Sequence, residues 1–387
     1  MTARLDAQVA FLLECDRLKS VDRANLLLDG SRRENSAEHS WHLALYALIL
    51  APFSGDAVDA LRAMRMLLLH DLVEIDVGDH PIHLDTDWSA VQQAEQQAAD
   101  RLFGLLPSEQ GANLRALWQE FEDDRTDTAR FAKTLDRCQP IFQTLCADSP
   151  PSDHVAIVRD NLTSGRAANL CQEFPAAHAH ACRLLGTHPS GAAAPRDEPF
   201  GRRLDFLNEA DQLKQIYRAS RLADGSRREN SGEHSWHIMI YAWVLQEYAA
   251  PNVNHDRVLQ MLLIHDIVEI DAGDNPIHGQ VDHDAVAALE QAAADRLLGL
   301  LPDDQEQQLR ALWDEFEAAQ TADAQFAKAV DRFQVPVLNL NNGGGTWRDY
   351  KVTLTQMEHR VGVPVIRGAP ALWEWLYPQL GPALADL

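Results

Sequence analysis

The sequence predicts an all-α protein made of two copies of one helical unit, and three observations lead there. Long stretches recur: SRRENSAEHSWH at 31–42 returns as SRRENSGEHSWH at 226–237, and MLLLHDLVEIDVGDHPIH at 66–83 returns as MLLIHDIVEIDAGDNPIH at 261–278, each 195 residues further on. The register then persists, because Trp118, Phe121, Phe131, Lys133, Asp136 and Arg137 correspond to Trp313, Phe316, Phe326, Lys328, Asp331 and Arg332. Finally, segments such as DAVDALRAMRMLLLHDLVEI and WSAVQQAEQQAADRLFGLL space apolar residues three and four apart, while strand-like alternation is nearly absent. A period this long exceeds the ~20–50 residues of solenoid repeats, so each copy is a whole domain and the chain an internal duplication.

Each copy should contain about six helices. The N-terminal MTARLDAQVAFLLECDRL mixes charges into an amphipathic pattern and lacks the apolar core of a signal peptide. Ser36 is the expected N-cap of a helix that carries His39. Turns are expected at Pro52–Gly55, Gly78–Pro81 and Pro107–Gly111, where Pro and Gly punctuate the helical pattern. The stretch THPSGAAAPRDEPFG at 187–201 has linker character, which divides the chain into a first domain at 1–190, a linker at 191–201 and a second domain at 202–387.

Lys and Arg number 34 against 58 Asp and Glu, a formal charge of −24. Such a field repels phosphate backbones and anionic lipid surfaces, so polymeric nucleic acid and membranes are not expected partners. No apolar run approaches the ~20 residues of a membrane helix. The five cysteines (Cys15, Cys138, Cys146, Cys171 and Cys182) all lie in the first half without a CxxC pair, which fits a reducing, cytoplasmic compartment.

Four residues per copy suggest chemistry: His39, His70, Asp71 and Asp136, then His234, His265, Asp266 and Asp331. Imidazole nitrogens with carboxylate oxygens suit one divalent transition metal per unit, Mn, Co, Fe, Ni or Zn. His70 and Asp71 end the apolar run MRMLLL, where a buried Asp beside a buried His is costly unless paired or metal-bound. Glu74 and Glu269 lie one helical turn beyond the pair, so each is either a carboxylate facing the metal's water or a solvated acid. Asp79 and Asp274 follow Gly in a turn they could cap. Arg23, Arg32 and Arg33, with Arg218, Arg227 and Arg228, form a local positive cluster for a phosphate or for surface carboxylates. Lys133 and Lys328 share a helix face with the final Asp. His42 and His237 read as supporting or packing residues, not further ligands.

The pattern H…HD…D, with HDLVEIDVGD and HDIVEIDAGD, resembles the HD-domain superfamily of metal-dependent phosphohydrolases. ENSAEH, HDxxExxxGD and FAKxxDR are similar to its branch of 5′-deoxynucleotidases, and the likeness covers both copies almost end to end. The resemblance implies two tandem helical bundles with His39, His70, Asp71 and Asp136 on one metal and His234, His265, Asp266 and Asp331 on another. It implies that Glu74 and Glu269 activate water, that Asp79 and Asp274 hold substrate or water, and that Arg23 and Arg218 sit near the 5′-phosphate and sugar. Characterised members carry Trp after that Arg, tied to 2′-deoxy selectivity, whereas this sequence has Ala24 and Ala219. The first copy also lacks the NGG and Trp of LNNGGGTWRDYKVTLTQM in the second.

Phosphate removal from a nucleoside 5′-monophosphate or a related small phosphate ester is therefore expected, with the two halves paired as an intramolecular pseudo-dimer. The alternatives are a nucleotide-sensing module with one regulatory copy and a di-iron oxygenase. The latter adds two His ligands between HD and the last Asp; only His83/His278 are shared there, with His80 and His283 unshared.

Overall fold

The computed structural model describes residues 2–80, 86–165, 167–187, 198–279, 282–385 and 387. Pro81, His83 and residues 188–197 of the expected linker lie outside them. The first copy comprises α1 (Thr2–Cys15), β1 (Asp22–Leu26), β2 (Arg33–Asn35), α2 (Ser36–Ile49), α3 (Ala60–Leu69), α4 (Glu74–Val77), α5 (Trp88–Phe103), α6 (Ser108–Asp123), α7 (Asp127–Leu145), α8 (Ser152–Thr163), α9 (Leu170–Glu173) and α10 (Pro175–Leu184). The second copy follows with α11 (Pro199–Ala210), which begins inside the expected 191–201 linker, then β3 (Tyr217–Arg221), β4 (Arg228–Asn230), α12 (Ser231–Val244), α13 (His255–Ile264), α14 (Glu269–Ala272), α15 (His283–Leu298), α16 (Asp303–Ala318) and α17 (Ala322–Asn341). It ends in α18 (Gly345–Asp349), α19 (Leu354–Met357), α20 (Val363–Gly368) and α21 (Pro370–Ala385).

The helical class holds, with one addition: each copy carries a two-stranded antiparallel ribbon, β1 with β2 and β3 with β4. No alternation marks these strands. Their turns are marked by Asp29-Gly30 and Asp224-Gly225, where Gly30 and Gly225 take φ of +72° and +73°. The α2 cap also differs from expectation. Asn35, not Ser36, caps the helix, accepting from the backbone N–H of Ala37 and Glu38 while the Glu38 side chain returns to the Asn35 N–H. The N-S-A-E order supplies this reciprocal box, which frees the Ser36 hydroxyl for another partner.

Almost every residue of α2 and α12 is buried, the polar Glu38, His39 and His42 and their counterparts Glu233, His234 and His237 included, because these helices lie at the centre of the molecule. They pack on each other, and one apolar core runs through both copies. The contact is reciprocal. Trp41 Nε1–H donates to the Leu263 carbonyl at 3.0 Å and Trp236 Nε1–H to the Leu68 carbonyl at 3.1 Å. Among the described residues no helix is long and apolar enough to cross a membrane.

Two buried lysines lie at this junction. Lys214 contacts Asp211, Glu34 at 2.6 Å and His42 Nδ1 at 2.9 Å, and Lys19 contacts Asp16 at 2.5 Å, Glu229 at 3.0 Å and His237 Nδ1 at 3.0 Å. His42 Nε2–H donates to the Leu207 carbonyl at 2.9 Å, so its Nδ1 must be the acceptor from Lys214, and the ring is neutral. Burial and the Lys214 charge push His42 down to about 3, against the opposing pull of Asp211 and Glu34; burial and Lys19 likewise hold His237 well below its ordinary value. An unfolded histidine titrates near ~6.5, so acid protonates the unfolded chain first, and this stabilisation is lost as pH falls from about 6.5 towards 3. The thermal midpoint should therefore drop between pH 7 and 5, and drop less in a His42→Gln/His237→Gln chain. Equal slopes in the two proteins would rule out these histidines as the source.

Candidate active site

Three helices converge on each site. His39 lies one turn into α2, whose entry the Asn35 cap fixes. His70 and Asp71 follow the end of α3, where Trp118 Nε1–H donates to the His70 carbonyl at 3.1 Å and pins the backbone. Asp136 projects from α7. His70 Nδ1–H donates to the Leu67 carbonyl at 2.8 Å, and His265 Nδ1–H does the same to Leu262 at 2.9 Å, so in both copies Nε2 is turned inward.

There His39 Nε2 lies 3.1 Å from Asp136 Oδ1, and His70 Nε2 lies 3.1 Å from Asp71 Oδ1 and 3.8 Å from Asp136 Oδ1. In the second copy His234 Nε2 is 3.1 Å from Asp331 Oδ1, and His265 Nε2 is 3.0 Å from Asp266 Oδ1. The donor atoms of His39, His70 and Asp136 lie within 4.8 Å of one another, as do those of His234, His265 and Asp331.

These groups fit a cation. His70 Nε2 and His265 Nε2 are buried and without a hydrogen-bond partner. With Nδ1–H committed to a carbonyl, each Nε2 of a neutral ring is a lone pair facing carboxylate lone pairs, an arrangement that a divalent ion resolves. Burial and the Arg23 charge oppose a charged His39, yet its contacts with Asp136 and Glu34 outweigh them and raise it to about 9. Burial likewise opposes an ionised Asp136, and His39 and His70 still hold it below the ordinary carboxylate range. A third group of suitable residues, Glu34, His42 and Asp211, already encloses the Lys214 ammonium and has no need of an ion.

Glu74 lies beside the first cluster. Its Oε2 accepts from the Ser36 hydroxyl at 2.5 Å, and Ser231 makes the same bond to Glu269. Burial and the neighbouring Asp71 charge push Glu74 well above its usual range, as burial and Asp266 do for Glu269. Arg23 joins three acids: its Nη1 is 2.7 Å from Asp71, 3.6 Å from Glu74 and 3.9 Å from Asp79. Arg218 repeats this with Asp266, Glu269 and Asp274 at 2.6, 3.6 and 3.7 Å. Asp274 also accepts from the Ala219 N–H at 3.2 Å, so it braces the ribbon as well as the site.

The expected cationic cluster disperses. Arg32 pairs with Glu38 and donates to the Lys214 carbonyl at 2.7 Å, and Arg227 pairs with Glu233 and donates to the Lys19 carbonyl at 2.5 Å. Both bind the copies together, and neither lines a cavity, because the ribbon turns them towards the opposite half. Arg33 is exposed and lines the first cavity, whereas exposed Arg228 does not line the second. Lys328 lines the second cavity, 2.9 Å from Glu317 and over the Phe316 ring. Lys133 is 3.6 Å from Glu122 and does not line the first. His80 and His278 reach the cavity walls without joining either ligand group, and His283 is exposed at the start of α15.

The two cavities differ. The second, of about 190 Å³, is walled by Trp347, Tyr350 and Met357 from the segment after α17. The Asn342–Gly345 turn that delivers Trp347 depends on Gly343 and Gly344, with φ of +74° and +98°. The first, of about 400 Å³, is walled instead by α8, which contributes Asp153, His154 and Asn161 together with the apolar Ile157 and Val158. Asp136 is accordingly 32% exposed where Asp331 is 10% exposed.

The buried His and Asp clusters on helical bundles define a class that the sequence comparisons identify. A family profile described as HD domain matches residues 15–178 and again 210–373, and the chain belongs to that family. Individual relatives match over roughly one copy. The human 5′-deoxynucleotidase HDDC2 is 29% identical over 134 residues, 34% of this chain and 64% of the relative. The Dictyostelium discoideum 5′-deoxynucleotidase HDDC2 is 28% identical over 147 residues, 36% of this chain and 77% of the relative. The chain thus spans slightly under two thirds of the human protein's length. A crystal structure described as a predicted metal-dependent phosphohydrolase from Magnetospirillum magnetotacticum is 44% identical, covering 49% of this chain and 96% of that one, with a TM-score of 0.46.

Proposed function

We propose that the protein is a tandem metal-dependent phosphomonoesterase that removes phosphate from nucleoside 5′-monophosphates, with one divalent transition ion (Mn, Co, Fe, Ni or Zn) in each copy. The observation that carries this reading is the second cavity. It is lined at once by the ligand-type residues His265, Asp266 and Asp331, the acids Glu269 and Asp274, and the cations Arg218 and Lys328. The names of the 5′-deoxynucleotidase relatives support the substrate class.

In this reading His39, His70, Asp71 and Asp136, with their second-copy counterparts, hold the ion. When bound, it supplies positive charge to a phosphate and lowers the pKa of water. Glu74 or Glu269 orients the attacking water and takes its proton as the oxygen–phosphorus bond forms; the ester bond breaks and the proton passes to the departing nucleoside 5′-oxygen, which leaves as the alcohol and restores the carboxylate. A carboxylate whose proton affinity is raised by burial is suited to that task near neutral pH. Asp79 and Asp274 help hold substrate or water, and Arg23, Arg218 and Lys328 offer donors to the anion. Arg33 and Lys133, which lies over the Phe121 ring that packs on His70, stay as candidate phosphate contacts of the first copy; Arg32, Arg227 and Arg228 drop out of that role.

The cross-copy contacts of α2 with α12 support an intramolecular pseudo-dimer, and the proposal places its action in the cytoplasm on a small nucleotide. Ala24 and Ala219 line their cavities at the position after the arginine where the resemblance implies Trp, so both ribo- and deoxyribonucleotides are candidate substrates. The test is phosphate release from a panel of both with Mn or Co added. Turnover of at least one nucleotide is expected, and failure with all of them overturns the proposal.

A further inference from the structure

We infer that each catalytic centre is completed by a lysine of the opposite copy: Lys214 holds His39 in place through Glu34, and Lys19 holds His234 through Glu229. The inference rests on the metal-site reading above and concerns what fixes the ligand ring that the first helix of each site supplies.

Glu34 is fully buried and bridges the two halves. Its Oε1 accepts from Lys214 Nζ at 2.6 Å, and its Oε2 faces His39 Nδ1 at 3.3 Å. Oε2 and Nδ1 are both buried, and neither makes a regular hydrogen bond among the described residues; at 3.3 Å they face each other. The opposite ring nitrogen, Nε2, faces Asp136. Glu34 therefore sets which nitrogen of His39 is presented to the metal cluster, the part a carboxylate commonly plays behind a histidine ligand.

Glu34 in turn depends on the other copy. Lys214 belongs to the short turn 211–215 that follows α11, and it is anchored there by Asp211 and by His42 Nδ1. The mirror arrangement holds in the second centre. Lys19, from the turn 16–20 after α1, donates to Glu229 Oε2 at 3.0 Å, and Glu229 Oε1 lies 3.6 Å from His234 Nδ1. Ser220 donates to that same Glu229 oxygen at 2.6 Å, a bond Asn25 does not repeat at the matching position of the first copy. The lysine of the turn that precedes each ribbon thus serves the other copy's centre, and each centre is whole only when the halves are packed.

A lysine that merely supported the packing of the fold would perturb its own half or both halves on removal. A positioning lysine perturbs the opposite centre alone. Co²⁺ reports on each centre through its visible absorption, and in the full chain Asp266→Ala isolates the first centre while Asp71→Ala isolates the second. With Asp266→Ala, Lys214→Met should weaken Co²⁺ binding about 10- to 100-fold and alter the absorption bands. With Asp71→Ala, the same Lys214→Met change should leave Co²⁺ affinity within about twofold, and Lys19→Met should show the reverse pattern.

Should Lys214→Met fail to fold, the charge-balanced Lys214→Met/Asp211→Asn chain, checked by its thermal midpoint, is expected to give the same crossed pattern. Loss at both centres, loss only at the lysine's own centre, or no loss at either overturns the inference. Absence of Co²⁺ absorption in the unsubstituted chain overturns the metal-site reading itself, and the inference with it.

Discussion

Asp71→Ala should silence the first centre and Asp266→Ala the second, and the chain carrying both should release phosphate at least about 10³-fold more slowly than the unsubstituted protein, a barrier increase of about 4 kcal/mol. The reason is geometric. Asp71 places one oxygen 3.1 Å from His70 Nε2 and the other 2.7 Å from Arg23, so its removal takes a donor from the cluster and leaves the arginine without its nearest partner. Elemental analysis should show metal lost from the double variant. Retention of a tenth or more of the activity by that variant would exclude these clusters as the catalytic centres. The two single variants also report how the copies divide the work, which bears on the unlike walls of their cavities.

Exchanging Glu74 and Glu269 together for Gln should lower kcat by about 10²–10⁴-fold while metal content stays at the unsubstituted level. Gln keeps the size of the side chain and can still meet the Ser36 or Ser231 hydroxyl at the position where Glu accepts at 2.5 Å. It loses the ability to take a proton from water. A split between unchanged metal content and lost turnover separates this pair from the ligands, whose loss removes both. Turnover within threefold of the original would show that another group accepts the proton.

Much of the site is legible in the chain because its spacing is recorded twice. The HD pair after an apolar run, the Glu one turn later and the Asp on a later helix all recur at one offset, and the structure brings their side chains together in both copies. The arginines were less legible. Arg32 and Arg33 are adjacent at the start of β2 and Arg23 lies on β1, and successive residues of a ribbon point to opposite sides. Arg23 therefore reaches the acids of the site, while Arg32 turns to Glu38 and the other half. The ribbon is hard to read from the chain because Asp22–Leu26 shows no apolar alternation and its cue is the Asp-Gly turn beyond it.

Lys19 and Lys214 were the least legible. Each sits among charged residues in a short turn, where a lysine reads as solvent-facing, and each meets its glutamate across 210 or 180 residues of chain. Local pattern carries no trace of such a meeting.

The amino-acid sequence alone determines the duplication, the helical class and the spacing of the His and Asp residues, because these are properties of residues close together or repeated along the chain. Which cations reach the site, which hold the halves together, and which lysine stands behind which histidine were decided only by the packing of α2 on α12. That packing excludes water from the junction, and a buried charge without water must take its partner from whatever the fold brings within about 3 Å.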